Sequence, residues 1–473
     1  MASRLPSYVR NTSKATTAIQ RIPFVDATQA SPQKLRPIHI PLEAPGQISP
    51  RQPPWDQIPA DAKGLVPIPP ARVLARLPMA SLLRSITIQA AMSRPILMNV
   101  ATTMLRSNLK QLTGTAMFRY VLDKIFYAQF CAGRTEAQIK QTVRGLRALG
   151  YRGAILSYAR EVDLSQTPNA LESANLESIH QLQVAQWLEG TINTIKYAHR
   201  RDMIAIKYTG AGQRTVEMLE QGAQPDSTMA NALDKICSYA REKGVRIMID
   251  AEHYSQQKGI DSWTMDLMER FNKSGEVVIY NTYQMYLKES PATLAKHLKI
   301  AKERNFNLGV KLVRGAYINS DPRHVIFDTK AETDNAFDNA ARMLATHHIN
   351  DPSAPKIGVV LASHNKESME MMRELRREQI QKGLPRADVV YAQLMGMADE
   401  LSMSLTQSST TDIDDDAHVF KYVVWGTTEE CVMYLLRRAE ENKDAVERSA
   451  SSQKALWGEL WGRLTPKFLK NLS

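Results

Sequence analysis

The apolar and polar positions of this chain change their rhythm near residue 150. Upstream, between residues 71 and 132, Leu74, Leu77, Met79, Leu82, Leu83 and Ile86 recur every three or four positions, and Val121, Ile125 and Phe126 do the same further on. That spacing predicts helices with an apolar stripe, a small helical cap region. Arg72, Arg76, Arg84 and Arg94 fall in the same stretch. A basic amphipathic helix lying on a membrane is the alternative there, but core packing is the more frequent cause of such a stripe. From Tyr151 onward the stripes are separated by short, nearly unbroken apolar runs: GAILSY (153–158), MIAIKY (203–208), VRIMID (245–250), VVIYNTYQ (277–284), LGVKLV (308–313), IGVVLA (357–362), DVVYAQL (388–394) and HVFKYVVW (418–425). Such runs are what parallel strands covered on both faces look like. Amphipathic stretches such as 293–305 and 366–383 lie between them. Eight β/α alternations over roughly 290 residues predict an α/β fold of the (β/α)8 TIM-barrel type, which typically takes about 250. A doubly wound open sheet is the competing architecture, and no G-x-G-x-x-G follows the first run.

The barrel expectation says where to look for chemistry, because functional side chains gather at the C-terminal ends of barrel strands. Those ends carry Lys207; Asp250, Glu252 and His253; Gln284; KLVRGAY (311–317); Ser363, His364 and Asn365; Gln393, Leu394 and Gly396; and Tyr422. A single polar strand end is usually just solvated, whereas a ring of them suggests a site. After the last run Gly426 breaks the strand, and Thr427 or Thr428 can cap a helix with Glu429 and Glu430 in its first turn. On that helix Tyr434, Arg437, Arg438 and Glu441 share one face by their spacing, and Val432, Leu435, Leu436 and Ala439 can form an apolar one. Taken alone, this is a surface helix with Arg437 paired to Glu441. Set beside the ring of strand-end residues, two guanidiniums suit a carboxylate ligand, which arginine grips with a planar fork.

Composition adds bounds. The chain has 473 residues, 43% hydrophobic and 23% charged, with a net charge of +11. No run of about 18 apolar residues predicts a membrane-spanning helix. Cys131, Cys237 and Cys431 form no CxxC pair, which argues against a disulfide framework or zinc cluster and fits a reducing compartment. The positive charge comes without a zinc finger, RNP-type motif or long basic run, so nucleic acid is not the expected partner. The first 28 residues are basic, rich in Ser and Thr and free of acids before Asp26. They read as a mitochondrial presequence, with an ordinary basic tail as the alternative. Residues 29–70 are a proline-rich arm. The expected organisation continues with a helical region (71–150), the barrel (151–445) and a C-terminal tail or helix (446–473). Asp250, Glu252, His253 and His364 could serve a divalent metal, making a metal-dependent hydrolase or lyase the second reading. The cations Lys207, Lys311, Arg314, Arg437 and Arg438 argue against a metal and for an anionic ligand. Gly315-Ala316 among them suits a phosphorylated cofactor, or is simply a tight βα turn.

The runs MIDAEHY (248–254), KLVRGAY (311–317), Ser363-His364-Asn365, QLMGMAD (393–399) and YLLRRAEEN (434–442), in this order, resemble motifs of the proline dehydrogenase family, of the monofunctional mitochondrial, fungal type. Phe130–Gly133 and 157–161 match more loosely. The resemblance implies a distorted (β/α)8 barrel with the final helix over its mouth. It implies FAD, bound non-covalently, and oxidation of L-proline to Δ1-pyrroline-5-carboxylate by hydride transfer to the flavin N5. This would be the first step of proline breakdown to glutamate, with electrons passed to ubiquinone at the matrix surface of the inner mitochondrial membrane. By the same resemblance Arg437, Arg438 and Lys207 would hold the substrate carboxylate, and Leu394, Tyr422 and Tyr434 would shape the ring pocket. Asp250 would orient an arginine and border the flavin. Lys311 would lie near the flavin N5 edge. Gln284, Val313, Gly315, Ala316, Tyr317, Lys330, Thr333, Ser363, His364, Asn365 and Glu441 would surround the rest of the cofactor. Ser363 stands where threonine is common, and Val424-Trp425 replaces a proline-containing turn. Relatives preferring hydroxyproline carry a small residue at the position of Tyr422, so Tyr422 implies L-proline. No residue is assigned as the base for the proline amine.

Overall fold

The computed structural model describes residues 73–92, 115–159, 176–273, 275–408, 418–444 and 450–465. The basic start, the proline-rich arm, Arg72 and Arg94 lie outside them. Eight parallel strands close into a barrel in the order β1 (Gly153–Tyr158), β2 (Met203–Ile206), β3 (Arg246–Ile249), β4 (Ile279–Gln284), β5 (Leu308–Val313), β6 (Ile357–Ala362), β7 (Asp388–Leu394) and β8 (His418–Trp425). β1 pairs with β8 to seal the ring, Ile155 opposite Tyr422. The strands are short where the flanking backbone has other partners. The run at 203–208 stops at Ile206 because Tyr208–Ala211 turns into a 3-10 helix. β4 begins at Ile279, since the N–H groups of Val278 and Ile279 both donate to the Asn272 side chain at 2.9 and 2.8 Å.

Two apolar layers hold the barrel. Inside it, Ile155, Met203, Met248, Tyr280, Val360, Val390 and Phe420 pack together. The Tyr280 ring is accommodated because β6 carries Gly358, where a Cβ would lie 2.4 Å from the Tyr280 hydroxyl. Outside it, the other face of each strand packs on the helices, with Ile204, Ile247, Leu308, Val359 and Val389 all buried. This two-sided burial is why the strands read as unbroken apolar runs. Upstream of the barrel, helix Met79–Met92 buries Leu82, Ser85, Ile86 and Ile88. The segment 116–130 is helical with a π-helical stretch at Leu122–Tyr127. Leu74, Leu82 and Ile86 join the main core, so the apolar stripe of the cap region does serve packing. Helix Ala450–Leu464 packs on helix Met79–Met92.

The last barrel helix, Thr428–Asp444, is fixed at its start. Thr427 is the cap: its hydroxyl accepts from Glu430 N–H at 3.2 Å, and the Glu430 carboxylate accepts from Thr427 N–H at 2.7 Å. This reciprocal pair satisfies two otherwise orphaned donors. Thr428 instead donates to Asp123 at 2.7 Å, while Arg134 bonds both Asp123 and Thr428 and lies over the Tyr127 ring. The Tyr127 hydroxyl donates to the Gly426 carbonyl at 2.6 Å. Val432, Leu435 and Leu436 are buried, and so is Tyr434, so the helix is no ordinary surface helix.

Candidate active site

The C-terminal strand ends and the helices above them enclose a cavity of about 960 Å³. At its centre is Asp250, just past β3. One carboxylate oxygen accepts from Lys311 Nζ of β5 at 2.5 Å, and the other accepts from the Tyr422 hydroxyl of β8 at 2.8 Å. Lys311 is buried and its ammonium lies 5.3 Å from the centre of the Tyr422 ring. Burial, reinforced by the Asp250 carboxylate, holds the Tyr422 phenol well above its ordinary pKa, so it remains a protonated donor. Three strands thus fix one carboxylate, one ammonium and one phenol against each other.

Tyr434, Arg437 and Arg438 face this cluster from the final helix, and all three line the cavity. Arg438 is buried, with its guanidinium 5.0 Å from the centre of the Tyr434 ring. A smaller space of about 50 Å³ adjoins, lined by Ser157, Trp187, Lys207, Tyr422, Tyr434 and Arg437 among others. Lys207 is placed by the turn after β2, where its carbonyl accepts from Trp187 Nε1 at 3.0 Å. Beneath it Glu252 is buried and accepts from Thr209 N–H at 3.2 Å and from the Thr209 hydroxyl. Burial raises the Glu252 carboxyl above its ordinary value, with Lys207 and Thr209 opposing the shift. The spacing in the sequence puts Glu252 beside a metal-like pair, but its role here is toward Lys207 and Thr209. His253 turns away to lie against Tyr317 and Ser320.

The far wall is built from backbone as much as side chains. Gln284, at the end of β4, donates to the Glu252 carbonyl at 3.0 Å and accepts from Ala316 N–H at 3.0 Å. It therefore pins the turn after β5 to the turn after β3. Gly315 in that turn has φ 156°, and a Cβ there would lie 2.4 Å from the Tyr286 ring. The chain's own tyrosine therefore demands glycine at that position. Arg314 is committed to the protein: it bonds Asp334 at 2.6 Å, Ser363 at 2.5 Å and Ser368 at 2.8 Å. Leu394 N–H donates to His364 Nε2 at 3.2 Å, and Asn365 caps helix Lys366–Gln381 by accepting from Ser368 N–H at 2.9 Å.

Of the residues singled out in the sequence, Lys207, Asp250, Gln284, Lys311, Val313, Gly315, Ala316, Tyr317, Ser363, His364, Asn365, Leu394, Tyr422, Tyr434, Arg437 and Arg438 all line the cavity. Lys330 and Thr333 do not. Lys330 is exposed and bonded to Asp334, in the first turn of helix Lys330–Asn350. The Glu441 side chain lies outside the described set. Among the described residues no group of three or more His, Cys, Asp or Glu side chains could hold a metal ion. Trp187, Gln129 and Arg373, which no sequence pattern singles out, also line the site: Trp187, from helix Leu176–Tyr197, beside Ser157 and Lys207 in the smaller space, and Gln129 and Arg373 in the large cavity.

The sequence pattern of the family described as proline dehydrogenase matches residues 139–451, a span that holds the whole barrel and the arginine helix. The chain belongs to the proline dehydrogenase family. Within that family it is similar to a probable mitochondrial proline dehydrogenase of Schizosaccharomyces pombe, 32% identical over 378 residues that cover 68% of this chain and 76% of the relative. It is also similar to hydroxyproline dehydrogenase of Homo sapiens, 27% identical over 406 residues, 76% of this chain and 85% of the relative. Among solved structures it shares its fold with proline utilization A from Bdellovibrio bacteriovorus, at a TM-score of 0.57 and 16% identity, over 77% of this chain and 36% of the other. The chain thus spans about a third of the length of that larger protein. The proline dehydrogenase family assignment makes this protein an oxidoreductase.

Proposed function

We propose that this protein oxidises L-proline to Δ1-pyrroline-5-carboxylate with FAD in the barrel mouth, passes the electrons to ubiquinone and works in the mitochondrion, on the matrix side of the inner membrane. The observation that carries the substrate reading is the meeting of Arg437 and Arg438 with the Lys311–Asp250–Tyr422 cluster around one cavity. A small ligand with a carboxylate at one end and an apolar ring at the other fits such a site. Its carboxylate is gripped by the two guanidiniums, with Lys207 as a third positive group. Its ring packs on Tyr422 and Leu394. Asp250 holds the Tyr422 phenol by its hydroxyl and so fixes the ring's resting face. Anchoring a small rigid ring by one end sets the position of its reacting carbon, which is the orientation effect on which such chemistry depends.

The residues present also fit FAD. The cavity is far larger than one amino acid needs and stands at the upper end of the ~300–1,000 Å³ range of ligand sites. Beside it stand the N-terminus of helix Lys366–Gln381, the Lys366 side chain and Arg373. Arg373 Nε is buried without a hydrogen-bond partner among the described residues. A helix N-terminus with two cations suits a pyrophosphate. Gln284, Lys311, the 313–317 turn and Ser363–Asn365 would border the rest. When bound, FAD supplies the two-electron acceptor for the hydride that leaves ring carbon C5.

Purified protein given L-proline without oxygen tests the reading directly. The expected result is bleaching of the flavin absorption band. A protein that carries flavin but does not bleach, or one that carries none after reconstitution, removes the assignment.

A further inference from the structure

The two helices that flank the barrel present one face to the cavity and another to solvent, and the two faces differ in kind. Helix Ala450–Leu464 turns Leu456 and Leu460 inward, and Leu456 lines the cavity. Its outward positions are Trp457, Trp461 and Leu464, 44%, 62% and 59% exposed. Their spacing of four and three residues places them on one stripe. Helix Met79–Met92, packed against it, sends Ser85, Ile88 and Gln89 to the cavity and exposes Met79 and Leu83. Single exposed apolar residues need no explanation, but a stripe with two exposed tryptophans on packed neighbouring helices does.

Charge decides what covers this face. Residues 73–92 contain Arg76 and Arg84 and no acid. Residues 450–464 contain Lys454, Arg463 and a single acid, Glu459, which is buried and bonded to Arg463 at 2.7 Å. Arg463 also donates to the Leu74 and Ala75 carbonyls, and Arg84 bonds Ser81 and Gln129, so the exposed charges beside the stripe are Arg76 and Lys454. The face is apolar and aromatic with a positive margin, on a chain whose net charge is +11. A second copy would bring the same positive charge against it. An anionic phospholipid surface supplies what the face lacks: negative headgroups for the cations and a headgroup layer in which tryptophan settles.

We infer that the outward face of helices Met79–Met92 and Ala450–Leu464 is the surface by which this protein lies on an anionic phospholipid membrane. Because the inward face of the same two helices walls the cavity with Ser85, Ile88 and Leu456, an apolar electron acceptor dissolved in the lipid reaches the site past this wall. The route of the acceptor rests on the functional reading above; the membrane contact does not.

The test uses the full-length chain and a variant carrying Trp457→Ser and Trp461→Ser, two exposed positions outside the cavity lining. Phosphatidylcholine vesicles with about one-fifth phosphatidylglycerol should co-sediment the parent chain, with a blue shift of tryptophan fluorescence, and the variant should bind roughly ten-fold or more weakly. Turnover with a water-soluble dye acceptor should be equal in the two proteins, while turnover with a long-chain quinone held in the vesicles should fall only in the variant. Equal vesicle binding by both proteins, or no binding by either, overturns the inference. So does a change of oligomeric state in the variant by analytical ultracentrifugation, which assigns the face to a second copy. Absence of turnover with every acceptor alongside normal vesicle binding defeats the functional reading and leaves the membrane face standing.

Discussion

Lys311 and Lys421 are both buried lysines in apolar barrel strands, and they serve opposite ends. Lys421, 1% exposed, is closed in by its own chain: Nζ donates to the Asp399 carboxylate at 2.9 Å, the Ser402 hydroxyl at 2.8 Å and the carbonyls of Met397 and Leu394 at 2.8 and 3.4 Å. It ties the loop after β7 to β8, and it lies over the Tyr151 ring. Lys311 has the Asp250 carboxylate on one side and the cavity on the other. A buried charge saturated by the fold is part of the fold. A buried charge with a cavity beside it is part of a site.

The largest effect that could break this contrast is Lys421→Met. Removing the buried ammonium leaves the half-buried Asp399 carboxylate, the Ser402 hydroxyl and two carbonyls without their shared donor, so stability should fall by about 3 kcal/mol. Urea denaturation of the two lysine variants checks it. Lys311→Met leaves Asp250 the Tyr422 hydroxyl and a face on the cavity, so it should lose clearly less stability than Lys421→Met yet lose about 100-fold in kcat/KM, because Asp250 and Tyr422 lose their common register. The reverse pattern would exchange the two roles. Next come the cavity-facing arginines. Arg437→Met and Arg438→Met should each raise KM for L-proline, at a cost of roughly 2–5 kcal/mol, while flavin content stays near normal. Near-normal KM in both would return this helix to the surface reading.

A smaller effect concerns which ring the site accepts. Tyr422 is partly buried with its hydroxyl held by Asp250, so a hydroxyl added to the substrate ring meets a site without an obvious partner. An unmade buried hydrogen bond costs about 1–3 kcal/mol. The parent enzyme should favour L-proline over trans-4-hydroxy-L-proline by roughly ten-fold or more in kcat/KM. Tyr422→Ser should narrow the ratio, chiefly by losing proline activity. Equal values in the parent would move it toward the hydroxyproline dehydrogenases that it also resembles.

The smallest effect extends the contrast to a carboxylate. Asp261 accepts from Asn281 and Gln257 at 2.8 Å each, and burial pushes its pKa up to about 6. A pKa raised in the folded state favours folding fully below the unfolded value, near 4, and that contribution is lost as pH rises through about 6. Asp261→Asn should therefore remove a pH-dependent part of the stability of order 1–3 kcal/mol between these limits. Melting curves at pH 4 and 7 for parent and variant read it, and an unchanged difference between the two pH values would show that Asp261 does not carry it.

Much of the barrel is visible in the order of residues. β1, β5, β6, β7 and β8 have the bounds of their apolar runs, because strands covered by core inside and helices outside have no polar face to blur them. The site is visible through one geometric rule, that strand ends share a mouth. The rule does not reach every residue. Lys330 and Thr333, assigned by the family resemblance and not by a strand end, stand in the first turn of helix Lys330–Asn350 and are not among the residues that line the cavity. Lys421 looks like one more strand cation, and only the folded loop at 394–402 shows that it is sealed. Trp187 and Gln129 come from helices whose approach to the mouth depends on packing that no local pattern records.

Tyr127 and Gly426, joined by one hydrogen bond, stand 299 residues apart in sequence. Around them Asp123 and Arg134 clasp Thr428, and Cys131 bridges to Val424 beside β1. The arginine helix is thus docked by chain that precedes the entire barrel. Contacts of such sequence separation form slowly, since loop closure must come before they can contribute. Refolding should therefore pass through a state in which the eight strands are paired but the arginines are not yet seated. Stopped-flow measurements should show far-ultraviolet dichroism recovering before the ability to bind a proline-like carboxylate, and Arg134→Ala should lengthen that interval. Simultaneous recovery of both signals would mean that clasp and barrel assemble together.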